Sequence, residues 1–131
     1  MKALKFYCVA ILLVSFSTVY GQKKYSPLKM FNTLAELTQA KLLPQREVND
    51  LVSIGKCKYL TEGRSYAAPI GLLARSDVKN GAKGIDEWVV MDKGNAYVLT
   101  NYKWIPADMN GSTQLILDFD TLHCEHYVNL D

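Results

Sequence analysis

The chain has 131 residues, 49% of them hydrophobic and 21% charged, with 15 Lys+Arg against 13 Asp+Glu. That apolar share excludes a precursor made mostly of polar spacer and is enough for one modest core. A net charge of +2 gives no global electrostatic reason to bind nucleic acid or an anionic membrane.

Residues 1–21 have the order of a secretory signal peptide. Lys2 and Lys5 give a basic start, Phe6 to Phe16 is apolar except for Ser15, and Val19 and Gly21 stand where a signal peptidase reads small side chains. The apolar run of about eleven residues is short of the roughly 20 needed to span a bilayer. The sequence therefore predicts cleavage after Gly21 and a single secreted domain over residues 22–131, extracellular or, in a bacterium, periplasmic. With Lys2 and Lys5 removed, basic and acidic residues number 13 each.

Ser26 and Pro27 read as the N-cap and first position of a helix. Leu28, Phe31, Leu34, Ala35, Leu37 and Leu42 recur at three- and four-residue spacing, which predicts a helix over roughly 28–41, ended before Pro44. Residues 45–53 (QREVNDLVS) fit either a helical turn through Val48, Leu51 and Val52 or a strand leading to Cys57. Residues 60–85 hold Gly63, Pro69, Gly71, Gly81 and Gly84 and read as a long irregular connection with one short strand around 66–74. Asp86 to Met91 and Ala96 to Ile105 are rich in aromatic and β-branched residues and flank Asp92–Asn95, the pattern of a hairpin. Pro106 to Ser112 is a loop. Thr113–Phe119 and Leu122–Leu130 then read as two strands or one bent strand. A helix followed by an antiparallel meander makes the expected class α+β, with the N-terminal helix packed on a small antiparallel sheet.

Cys8 leaves with the signal, and the remaining pair, Cys57 and Cys124, most simply forms one disulfide in an oxidising compartment. Closing a loop of about 68 residues is worth roughly 4 kcal/mol in the chain-entropy model. The competing reading is a metal site at His123-Cys124-Glu125-His126. Its spacing matches no standard zinc pattern, and no other histidine exists to complete it. The chain lacks a G-x-S-x-G turn, a cysteine free to pair with histidine, and the Walker pattern around Gly81-Ala82-Lys83-Gly84. No metal or other cofactor is expected. Asn110-Gly111-Ser112 matches the N-glycosylation acceptor and also reads as a turn.

Phe31-x-x-Leu34-x-x-Leu37, then Val48, then an apolar run closing on Cys57, resembles the opening of VirK-like secreted domains. Those begin with a signal peptide, a short helix and a strand ending in Cys. They continue into a Gly-rich segment and an antiparallel sheet, which Gly84-Ile85-Asp86 and the expected hairpin resemble. The resemblance implies a small secreted α+β domain and carries over no catalytic residues.

The functional expectation is a secreted, non-enzymatic binding protein of inhibitor, immunity or host-interaction type. It would act by contact with a protein or other extracellular macromolecule, not with nucleic acid and not by membrane insertion. The expected contact surface is made by residues 60–85 and the hairpin aromatics, with Arg64, Tyr66, Trp88 and Trp104 as anchors. An extracellular structural component is the second reading. A small secreted hydrolase using carboxylates and His126 is the third, promoted if His126 clusters with Asp118 or Glu125.

Overall fold

The computed structural model describes residues 25–106 and 113–130. The expected signal segment and the Asn110 acceptor lie outside the described residues. The elements run α1 (Pro27–Leu37), β1 (Lys41–Leu42), α2 (Gln45–Ser53), β2 (Cys57–Ala67), α3 (Ala74–Met91), β3 (Ala96–Pro106) and β4 (Thr113–Cys124). The class is α+β, with one sheet in the order β1-β3-β4-β2. β4 pairs antiparallel with both β3 and β2, and β1 pairs parallel with β3. The sheet is therefore mixed rather than a pure antiparallel meander. α3 connects β2 to β3, two strands that run the same way on either side of β4.

α1 begins as its sequence predicts. The Ser26 hydroxyl accepts from the Lys29 N–H, and Pro27 occupies the first helical position, where no intrahelical N–H is missed. Met30, Thr33 and Leu34 bury the inner face. The helix ends at Leu37, earlier than the apolar spacing suggests. The Asp86 carboxylate accepts the Gln39 and Ala40 N–H groups and draws the chain away into β1. The ambiguous 45–53 segment is helical, with Val48 fully buried.

The largest departure is α3. Residues 74–85 are not an irregular connection, and Asp86–Met91 is not a strand. Both belong to one helix of 18 residues. Val78, Ala82, Ile85 and Val89 sustain a helical spacing straight through the glycines, and all four are buried. Gly81 and Gly84 serve close packing. A methyl group on Gly81 would come within 2.5 Å of Leu117 Cδ1, and one on Gly84 would overlap the Tyr66 ring. The hairpin is formed by β3 and β4 instead, in register from Ala96↔Leu122 to Pro106↔Thr113. Asp92–Asn95 joins α3 to β3, with Lys93 at φ 62°.

α1 and α3 cover one face of the sheet over Tyr97, Leu115, Leu117 and Phe119. α2 covers one end of the other face over Ala96, Val98 and Leu122. The Cys57–Cys124 disulfide sits in that second core. The two residues lie directly opposite each other in the β2–β4 register, with Cα atoms 4.1 Å apart, the closeness of a facing cross-strand pair. Buried Asn95 fastens the end of β4: its Nδ2 donates to the Cys124 and Tyr127 carbonyls, and its Oδ1 accepts from the Cys124 N–H. β1 covers only Ala96 and Tyr97 of the outer edge of β3. A bulge between Leu99 and Asn101, exposed Lys103 and Pro106 blunt the rest of that edge against stray pairing.

Candidate functional site

β2 and α3 meet along a seam that contains three of the four expected anchors. Arg64 projects toward α3, where its guanidinium carbon lies 4.0 Å from the centre of the Trp88 ring. Its Nη2 and Nε donate to the Asp92 carboxylate at 2.5 and 3.2 Å. Thr121 Oγ1 adds a third bond to Asp92 at 2.7 Å. Burial alone would raise the Asp92 carboxyl. Hydrogen bonds from Arg64 and Thr121, the Arg64 charge and a bond from Thr61 outweigh it and hold the group below the usual carboxylate value. Tyr66 lies two residues further along β2, and its ring packs closely against Gly84. Arg64, Tyr66 and Trp88 are each half-buried, and Arg64 directs its hydrogen bonds to Asp92.

Trp104 stands apart from these three. It is on β3 opposite Leu115 of β4, whereas Tyr66 shares Leu117 with Tyr102, and it tilts against Tyr25 with ring centres 6.5 Å apart. Its Nε1 is buried without a hydrogen-bond partner among the described residues.

The seam continues into the connection between β2 and α3, where the sequence predicts a short strand around 66–74 and the structure instead ends β2 at Ala67. Leu72 is 91% exposed, Leu73 66% and Ile70 45%. Three large aliphatic side chains thus point into water from four consecutive positions. The backbone that carries them is pinned at both ends. Asn80 Nδ2 donates to the Pro69 carbonyl at 2.9 Å, and the Gly71 N–H donates to the buried Asp77 carboxylate. Ala68 anchors the start of the segment, being fully buried and bonded through its N–H to the Leu115 carbonyl. The exposed face of α3 then presents Arg75, Lys79 and Lys83 one helical turn apart. Arg75 contacts Glu36 at 3.3 Å, with both side chains largely in solvent.

The residues weighed for catalysis do not converge. β4 ends at Cys124, and the His126 ring packs on Tyr127 at 4.5 Å. Asp118 lies six positions back along the strand from Cys124, roughly 20 Å by strand rise. Asp120 accepts the Gly63 N–H at 2.8 Å. Tyr97 OH is buried against Thr38 Oγ1. Burial raises its pKa far above the ordinary phenol value, the Thr38 bond partly offsets this, and the Asp86 charge adds to it. Such a phenol stays neutral and acts as a structural hydrogen-bonding group. Among the described residues no three His, Cys, Asp or Glu side chains are placed to hold a metal ion, and no helix is long and apolar enough to cross a membrane.

No protein-family model, no curated protein and no solved structure matches the chain.

Proposed function

We propose that this is a secreted, non-enzymatic binding protein whose contact surface is the Ile70–Leu73 prong at the head of α3. The observation that carries the reading is the exposure of Leu72 and Leu73 at 91% and 66% on a backbone fixed from both sides. Aliphatic groups held out by a rigid scaffold gain free energy only when something covers them, at about 25 cal/mol per Å² removed from water. Arg64, Trp88 and Tyr66 support this surface from behind by fixing α3 on β2, and a partner would meet their outer edges. Export is part of the reading. It rests on the basic–apolar–small order of residues 1–21 and on a disulfide of the kind that persists in oxidising compartments.

A photo-crosslinking residue at position 72 of the exported protein, whose intact mass should begin at Gln22, tests the proposal. Irradiation in the protein's native surroundings should give a defined adduct at position 72. It should give none at position 128, where Val128 is 85% exposed but lies outside the prong. Equal labelling at both positions, or none at 72, would count against the prong.

A further inference from the structure

The prong and the face of α3 behind it carry complementary chemistry, and together they identify a class of partner. Resting on the contact reading above, we propose that Ile70, Leu72 and Leu73 dip into an anionic lipid surface while Lys79 and Lys83 lie against its phosphates.

Three features favour a lipid surface over a protein. The exposed side chains of the prong, Ile70, Leu72 and Leu73, are purely aliphatic. Protein-binding hot spots are enriched in Trp, Tyr and Arg, with Leu under-represented, whereas aliphatic side chains suit the apolar layer beneath headgroups. The adjoining charges are lysines, which act as compact point charges on phosphate without needing bidentate geometry. They also lie on one exposed stripe of α3 that begins at the prong, at positions 75, 79 and 83. The net charge of the whole chain is small, so any attraction to anionic lipid is local to this stripe.

The acids nearby are consistent with that orientation. Asp77 is buried and turned inward onto the Gly71 N–H. Glu36 contacts Arg75, which leaves Lys79 and Lys83 as the cations presented outward. Glu87 follows Lys83 by one turn, so the stripe changes sign toward the end of α3 furthest from the prong. The molecule would therefore rest on the α3 N-terminal end, with Glu87 and the Asp92–Asn95 connection to β3 away from the lipid. This contact is peripheral and requires no membrane-spanning element.

Sedimentation of the exported protein with vesicles tests the proposal. In 50 mM salt the protein should partition at least ten-fold more strongly onto 7:3 phosphatidylcholine:phosphatidylglycerol vesicles than onto pure phosphatidylcholine. Raising the salt to 0.5 M should remove most of that preference. Lys79→Gln/Lys83→Gln should abolish the preference for anionic vesicles, and Leu72→Ser/Leu73→Ser should reduce partitioning onto both by about ten-fold. Absence of partitioning at low salt, or partitioning that neither variant changes, would overturn the lipid assignment. The crosslinking experiment separates the two claims. A protein adduct at position 72 without vesicle binding sinks the lipid inference and leaves the contact surface standing, whereas no adduct and no vesicle binding sinks both.

Discussion

Asp92 is the residue on which the β2–α3 seam depends. It closes the end of α3, receives two bonds from Arg64 and one from Thr121, and has a side chain only 8% exposed. Hydrogen bonds to a charged group contribute about 1.5–3 kcal/mol when buried, and Arg64 at 25% exposure places this pair toward the low end. Asp92→Asn should therefore lower stability by about 1–2 kcal/mol at neutral pH. The pH dependence has a definite sign. The folded carboxyl is held below its ordinary value of 3.8, so its contribution is fully present above the unfolded pKa and is lost as pH falls through the lower, folded one. Asp86 acts in the opposite sense. Burial raises its pKa despite the bonds from Gln39 and Ala40, so protonating it relieves a penalty as pH falls. The stability difference between the wild type and Asp92→Asn isolates the first effect. Measured by urea unfolding from pH 7 to pH 2.5, it should stay constant down to about pH 4 and then shrink. A difference that does not change with pH would show that Asp92 carries no special charge interaction.

α3 is the element that organises the candidate site, and it rests on two missing side chains. Ala in place of Gly gains about 1 kcal/mol of helix propensity. At Gly84 that gain meets a methyl group overlapping the Tyr66 ring, and overpacking typically costs about 1–3 kcal/mol. Gly84→Ala should therefore destabilise by about 1 kcal/mol, with a coupling to Tyr66→Ala of similar size in a double-mutant cycle. Stabilisation by Gly84→Ala would mean that α3 does not approach β2 so closely. The same glycines explain why α3 was hard to read. In a sequence they signal a break, and the Trp-Val-Val run after them signals a strand. Only the spacing of Val78, Ala82, Ile85 and Val89 carries the helix, and the sheet that requires the glycines is not visible locally. β1 was illegible for another reason. Two residues have no periodicity, and Lys41–Leu42 becomes a strand only by pairing with Ala96 and Tyr97. By contrast, the start of α1, the whole of β3 and the disulfide were legible, because a cap, an aromatic and β-branched run and a lone pair of cysteines beyond residue 21 are local or countable signals.

For the whole molecule, register decides what shares a surface. Thr121 and Asp92 could not be linked to Arg64 from the sequence, since β4 must first be placed beside β2, with Phe119 opposite Arg64. The Ile70–Leu73 segment reads in the sequence as part of a short strand around 66–74, because its apolar run suggests burial, whereas β2 ends at Ala67. Its exposure was not legible, because that depends on Ala68, Asp77 and Asn80 holding the backbone while the aliphatic side chains remain outside either core. The molecule thus divides into two cores joined through one sheet, a disulfide in the smaller core, and an apolar prong that contributes to neither. Thermal unfolding of Leu72→Ser/Leu73→Ser tests that division most directly. In a domain of this size, about 1 kcal/mol of lost packing lowers Tm by roughly 4–8 °C. The account predicts a Tm unchanged within about 2 °C, or slightly raised, because the leucines are held out for contact. A fall comparable to that of a core substitution would contradict it, since the two side chains would then be part of the packed interior and not a surface awaiting a partner.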